Sequence, residues 1–269
     1  MEKKNILFIS QEITPFLPES EMSVIGRYLP QGVQERGREI RTFMPRYGLI
    51  NERRNQLHEV IRLSGMNLVI NDSDHPLIIK VASIQTARMQ VYFIDNEDYF
   101  HRKAVLKNTK GKDFADNDEC AIFFARGVLE TVIKLRWTPD IIHCHGWLAC
   151  LVPVYIKKYY HDDPLFSNSK VIFSVYNENF TSELNRKFRE KMLMKGISPD
   201  DVSGLETPDY HNVVKLAIDF SDGIISGSKF IDQDIQKYIK NSGKLNLDYQ
   251  PEETYIDEYN KFYDVLLER

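Results

Sequence analysis

The segment His-Cys-His-Gly-Trp, residues 143–147, holds the residue types in this chain that most directly suggest chemistry. On a strand, His143 and His145 would point to the same side, with Cys144 on the other. Zinc usually takes three or four ligands, and the sequence shows no second ligand cluster. We therefore expect no metal site here. The alternative is that the histidines orient a loop and that Trp147 packs at the start of a helix.

Two further segments could contribute a reacting or binding group. Residues 176–180, Tyr-Asn-Glu-Asn-Phe, offer Glu178 as a candidate base, against the simpler expectation of a solvated carboxylate. Residues 226–228, Ser-Gly-Ser, could bind an anion through backbone N–H groups, but we favour Ser228 as the N-cap of the next helix. No GxGxxG, P-loop or GxSxG motif occurs, and we predict no cofactor.

The elements that would position these groups alternate between strand and helix. Apolar runs at residues 5–10, 39–45, 140–145, 170–176 and 223–228 read as buried strands, with amphipathic segments between them. This alternation predicts one α/β, Rossmann-like domain with a mostly parallel sheet. Short strands between residues 58 and 95 predict an addition at the sheet edge. Ligands of such sheets bind beyond the carboxyl ends of the strands, so the loops after them are the candidate site.

The C-terminal segment follows a different pattern. We assign residues 1–243 to the Rossmann-like domain and residues 244–269 to a tail. Residues 243–252 are polar and turn-like, whereas residues 254–267 carry apolar side chains at helical spacing. An amphipathic helix needs an apolar surface, so we expect it to dock on the same domain.

Composition excludes several functional classes. The 269 residues carry a net charge of −4 with a pI of about 6.0, which does not suggest nucleic-acid binding. The apolar run at residues 6–9 is too short for a signal peptide or a membrane span. Three cysteines without CxxC spacing (Cys120, Cys144 and Cys150) indicate reduced thiols and a cytoplasmic protein.

With its flanks, the His-Cys-His-Gly-Trp segment resembles bacterial glycogen and plant starch synthases. Their pattern is Pro-Asp-hydrophobic-hydrophobic-His-x-His-Asp-Trp, followed later by a strand that ends Thr-hydrophobic-His-Asn. The segments ILFISQEITPF, FMPRYG, YFIDNEDYFHR, DFADNDECAIFFARGVLE and LAIDFSDGIISGSKFIDQDI resemble other family segments in the same order. The resemblance extends from about residue 4 to residue 236.

The resemblance implies the N-terminal, acceptor-side half of a GT-B glycosyltransferase, an enzyme that transfers glucose from a nucleotide sugar to an α-1,4-glucan. It implies that a Lys-x-Gly-Gly loop, an Asp and a His meet the donor. In this chain Pro18 falls at or next to the lysine, Gly146 replaces the Asp, and Tyr176 replaces the His. We therefore expect no catalytic residues at those positions. The candidate ligand-facing residues are Glu12, His143, His145, Trp147, Asn177 and Glu178.

Three functions remain open from the sequence. The first is a degenerate synthase-like domain, without its donor domain, that binds an α-glucan or another protein chain and does not transfer glucose alone. The second is an active glycosyltransferase completed by another chain. The third is a different small-molecule enzyme that uses the loops after the strands. We expect no membrane partner in any of them.

Overall fold

A twisted sheet forms the centre of the protein in the computed structural model, which describes residues 3–180 and 182–269. Its strands follow the spatial order β10-β9-β8-β7-β1-β2-β6-β5-β3, and β4 pairs with β5. The strands are β1 (Asn5–Ser10), β2 (Glu39–Pro45), β3 (His58–Glu59), β4 (Met66–Ile70), β5 (Ser73–Ile84), β6 (Met89–Asp95), β7 (Ile141–His145), β8 (Lys170–Val175), β9 (Gly223–Ser226) and β10 (Leu245–Leu247).

The strands from β10 to β6 in that order run parallel, and β3, β4 and β5 are antiparallel. The mostly parallel α/β sheet predicted from the sequence is therefore confirmed. Residues 58–95 do extend one edge: β4, β5 and β6 pair antiparallel in turn, and β6 joins this addition to the parallel sheet by pairing with β2. Central strands are covered on both faces, which is why Ile6–Ile9 are all apolar and almost completely buried.

Helices cover the two faces of the sheet. They are α1 (Glu21–Glu35), α2 (Glu97–Phe100), α3 (Asn117–Leu135), α4 (Val152–Val154), α5 (Phe188–Met192), α6 (Tyr210–Asp219), α7 (Gln233–Asn241) and α8 (Tyr255–Leu267). The continuous helix expected after β7 is instead a 3₁₀ turn at Trp147–Ala149, then α4, then a π-helical stretch at Tyr155–Tyr159. Further 3₁₀ turns occur at Gln85–Ala87 and Ser203–Glu206.

Helix α8 packs on the same core, as its apolar spacing predicts. Its Phe262 lies against Gly223 of β9, and Ile256 lies against Gly32 of α1, where an added Cβ would come within 2.6 Å of the Ile256 side chain. Arg38 reaches the helix from the sheet side and donates to the Asp264 carboxylate at 2.7 Å. The preceding segment is not only turn-like, because residues 245–247 form β10 and pair with β9.

The three cysteines lie in the core of the protein. Cys120, Cys144 and Cys150 are buried free thiols, and burial raises the pKa of each one. Of the helices that the structure describes, none combines the length and the apolar character needed to cross a lipid bilayer.

Candidate functional site

The candidate site lies where β1, β7 and β8 end side by side. Ser10, the last residue of β1, is in register with His145 of β7, which in turn is in register with Ser174 of β8. The loops that follow these strands therefore meet at one edge of the sheet, although they are far apart in the sequence. This register explains why residues near 12, 147 and 178 share one site.

A cleft of about 280 Å³ opens at this edge. One wall is aromatic: the rings of Trp147 and Phe180 pack edge to face with centroids 4.9 Å apart. The remaining lining is polar or aliphatic and consists of Gln11, Glu12, Val105, Leu106, Lys107, Asp113, Glu178 and Asn179. Aromatic faces combined with carboxylates and amides suit a neutral, hydroxyl-rich ligand better than an anion.

Glu178 is held in place by groups from two other strand ends. It accepts hydrogen bonds from the backbone N–H of Trp147 at 2.7 Å and from Nε2 of Gln11 at 3.1 Å. Burial, together with the nearby Glu12 carboxylate, raises the pKa of Glu178 to about 7. The expectation of a merely solvated Glu178 is therefore wrong. A carboxyl group with this pKa can gain or lose a proton near neutral pH.

Gln11 is a site residue that sequence reasoning did not single out. Its amide nitrogen donates to Glu178, and its Oε1 accepts from the backbone N–H of Leu148 at 3.1 Å. It thereby ties the end of β1 to the loops after β7 and β8. Its position directly after the last residue of β1 was the available signal.

His145 lies behind the cleft rather than in it. Its Nδ1 shares a 2.8 Å hydrogen bond with the hydroxyl of Tyr176, and its Nε2 is buried without a partner among the described residues. Burial lowers the pKa of His145 to about 3, so the ring is neutral at physiological pH. Tyr176 is also buried, which raises its pKa well above the ordinary value. The pair forms a closed polar contact within the core.

His143 lies deeper still and does not line the cleft. Its ring nitrogens contact the hydroxyl of Tyr263 at 2.8 Å and that of Ser174 at 2.7 Å. Complete burial lowers the pKa of His143 well below its usual value. The two histidine rings lie on the same side of β7 with centroids 4.0 Å apart, as their spacing predicts. Three of the four ring nitrogens are hydrogen-bonded to hydroxyl groups, so the two rings are not arranged as a shared set of metal ligands.

Asn177 and Ser228 do not line the cleft. The side chain of Asn177 is exposed, and its backbone N–H donates to the Ser228 hydroxyl at 2.9 Å. Ser228 in turn donates to the carboxylate of Glu21. The prediction that Ser228 caps the next helix is wrong: Asp232 caps α7, accepting from the N–H groups of Asp234 and Ile235.

Another cluster of metal-ligand types lies away from the cleft. His211, Asp232 and Asp234 bring one ligand atom each to within 4.8 Å of one another. Asp232 is already engaged as the cap of α7 and by His211 at 3.0 Å. The cluster is therefore explained by capping and ion pairing.

Comparison with known proteins decides the family. The model of the starch synthase catalytic domain matches residues 5–248. The chain belongs to this family. Among its relatives, the glycogen synthase of Chlorobium luteolum is 35% identical over 234 residues, which are 85% of this chain and 47% of that protein. That of Chlorobium limicola is 38% identical over 201 residues, 74% of this chain and 41% of that protein.

A solved structure supports the same fold. The catalytic domain of starch synthase IV from Arabidopsis thaliana, bound to ADP and acarbose, matches with a TM-score of 0.68 and 18% identity. The match covers 83% of this chain and 45% of that one. The chain thus has the fold of one half of a GT-B glycosyltransferase and spans about half the length of the curated relatives it matches.

The loop between β1 and α1 falls where the resemblance to starch synthases places the Lys-x-Gly-Gly loop. Ser20 caps α1: its hydroxyl accepts from the N–H of Ser23 at 3.0 Å and donates to Glu12 at 2.7 Å. Glu19 and Glu21 are exposed beside it. A free helix N-terminus attracts anions. At the N-terminus of α1, however, the Ser20 hydroxyl already caps the helix, and three carboxylates lie nearby and would repel an anion.

Gly146 falls where the resemblance places the donor-contacting Asp of the starch synthases. Its φ is +85°, and a Cβ added there would lie 2.8 Å from the Sδ and Cε atoms of Met22. The backbone conformation and Met22 therefore both oppose a side chain at this position. Tyr176, at the family's His position, points inward to His145. Neither position therefore carries the side chain that the resemblance implies for contact with the sugar.

Proposed function

We propose that this domain binds an α-glucan chain in the cleft between Trp147 and Glu178 and does not by itself transfer glucose from a nucleotide sugar. The family supports the ligand class, since the glycogen and starch synthases act on α-1,4-glucans. The cleft supports it chemically. Trp147 and Phe180 provide an aromatic wall, while Gln11, Glu12 and Glu178 offer groups that hydrogen-bond sugar hydroxyls.

The proposal that the domain does not transfer glucose rests on one observation. Ser20 caps the N-terminus of α1, and Glu12, Glu19 and Glu21 lie around it. A nucleotide sugar brings two negatively charged phosphates. Repulsion by carboxylates would raise the free energy of that bound state, and most rate enhancement in such transfers comes from stabilising the charge on the leaving diphosphate. Glucan binding needs no phosphate site and is compatible with these residues.

Binding is tested by calorimetric titration with maltoheptaose and, separately, with ADP-glucose and UDP-glucose. We expect heat from maltoheptaose only, and we expect Trp147→Ala and Glu178→Gln to weaken it. Phe230→Ala, which alters a side chain that is 73% exposed outside the cleft, serves as the matched control. Binding that is indifferent to the two cleft variants would contradict the assignment of the cleft.

Catalysis is tested with radiolabelled ADP-glucose and glycogen, and we expect no incorporation. Turnover that survives further purification and disappears in Asn177→Ala, a change at an exposed residue, would show a self-sufficient transferase. Turnover that appears only when a second chain is added would favour a transferase completed in trans.

A second candidate function is proton transfer to a small molecule by Glu178. The pKa of about 7 is the observation that favours it. If this were its role, a reaction catalysed by the domain would depend on pH with a midpoint near 7 and would be lost in Glu178→Gln.

A further inference from the structure

A second polar cavity lies at the other end of the parallel strands from the cleft. It has a volume of about 370 Å³ and forms where β2 and β6 begin and β5 ends. Its lining residues are Gln34, Ile40, Arg41, Ser83, Ile84, Gln85, Arg88, Met89, Gln90 and Tyr92. Two arginines, three glutamines and two hydroxyl-bearing residues therefore line one space, and no carboxylate lines it.

The protein leaves donors of both arginines available to a ligand. Arg88 is exposed, and among the described residues its side chain has no hydrogen bond or ion pair. Nε of Arg41 is buried and donates to no acceptor that the structure describes. Arg41 donates to the backbone carbonyl of Ile40 at 3.4 Å and makes one weak ion pair, to Glu39 at 3.6 Å. Its guanidinium lies 5.5 Å from the centre of the Trp137 ring.

We propose that this cavity binds a sugar phosphate. Planar guanidinium groups match the oxygens of a phosphate, and their bonds to it are charge-assisted. Gln34, Gln85, Gln90 and Ser83 supply both donors and acceptors, which suits the hydroxyl groups of a sugar. In a chain with net charge −4, a cavity with two positive groups and no carboxylate is a local exception in sign.

The site is separate from the cleft proposed to bind glucan. Parallel strands carry their usual ligand site at their carboxyl ends, whereas Arg41 and Arg88 lie near the amino ends of β2 and β6. A ligand in one site leaves the other open, so the two proposals can fail independently.

Calorimetric titration at low ionic strength tests the proposal with glucose 1-phosphate, glucose and inorganic phosphate as probes. We expect glucose 1-phosphate to bind at least tenfold more tightly than either of the others. Arg41→Gln and Arg88→Gln should each weaken it by about tenfold or more. Because Arg41 lies over Trp137, binding should also change the fluorescence of Trp137, measured in a Trp147→Phe background.

Arg62→Gln is the matched control, since Arg62 is exposed and lies outside the cavity. Equal weakening by all three arginine variants would mean non-specific charge attraction and would overturn the site. Absence of binding to glucose 1-phosphate at millimolar concentration would overturn it as well. If inorganic phosphate bound as tightly as glucose 1-phosphate, the proposal that the cavity recognises the sugar would be refuted. Arg88 is exposed, so Arg88→Gln decides the matter even if Arg41→Gln fails to fold.

Discussion

The thioether of Met22 occupies the space into which a side chain at Gly146 would extend, with its sulfur 2.8 Å from the position of an added Cβ. Helix α1 and the residue that follows β7 are thereby packed together, at the position where the resemblance to starch synthases places an acidic residue. The absence of a side chain at Gly146 is thus coupled to the packing of a neighbouring helix.

Gly146→Asp should destabilise the protein rather than restore a sugar site. The positive φ and the displacement of Met22 together should lower the free energy of unfolding by roughly 2–6 kcal/mol. Urea unfolding measures this. Gly37→Asp provides the control, because Gly37 also has a positive φ, +89°, but has open space around it. If both variants lost the same free energy, the contact with Met22 would be unimportant.

Tyr176→Phe should cost about 1–3 kcal/mol, because it leaves Nδ1 of the buried His145 without its partner. Tyr263→Phe should lower the stability by a similar amount, since it removes the hydroxyl partner of Nδ1 of His143. Tyr28→Phe changes a tyrosine that is 49% exposed and should be neutral. Thermal denaturation of the three variants gives the comparison. A Tyr176→Phe protein as stable as Tyr28→Phe would argue against the buried pair.

The buried histidines should make the protein sensitive to acid. In the folded state burial lowers the pKa of His145 to about 3 and that of His143 well below normal, whereas both are near 6.5 when unfolded. Their contribution to stability is therefore complete above pH 6.5. It is lost as the pH falls towards 3, by about 1.4 kcal/mol per pH unit for each histidine.

Glu178 opposes this trend between pH 7 and 5. Its folded pKa of about 7 is raised, so its contribution to stability is present at low pH and is lost as the pH rises through 7. Glu178→Gln should therefore steepen the loss of stability from pH 7 to pH 5, measured by urea unfolding. The control variant Glu59→Gln, at an exposed position on β3, should not steepen this loss. A pH-independent stability in Glu178→Gln would contradict the histidine assignment.

Helix α8 should be required for stability. Burying each large apolar side chain contributes about 1.5–3 kcal/mol before entropy is counted, and α8 buries Tyr255, Tyr259, Phe262, Tyr263 and Leu266. Deleting residues 250–269 should lower the melting temperature sharply. Phe262→Ala should cost about 3–5 kcal/mol, whereas Val265→Ala, at a position 45% exposed, should cost little. An unchanged melting temperature after the deletion would refute the docking.

The fold followed from the sequence because strand and helix periodicities are local signals. The apolar run at Ile6–Ile9 and the spacing in α8 each report one element and its buried face. The environment of Glu178 could not be predicted in this way, since it depends on Gln11 and the N–H of Trp147, which arrive from other strands. Ser228 was misassigned for a related reason, because the loop after β9 runs on to Asp232 before the helix begins.

The packing of α8 also bears on how the protein is made. Arg38 and Asn260 are joined by a 2.9 Å hydrogen bond although 222 residues separate them. At 5–20 residues per second, a ribosome needs roughly 10–40 s to synthesise the intervening chain. From the time each is synthesised until α8 emerges, the surfaces at Gly32, His143 and Gly223 that α8 covers remain exposed to water. The nascent domain is therefore a natural substrate for chaperones until α8 emerges from the exit tunnel.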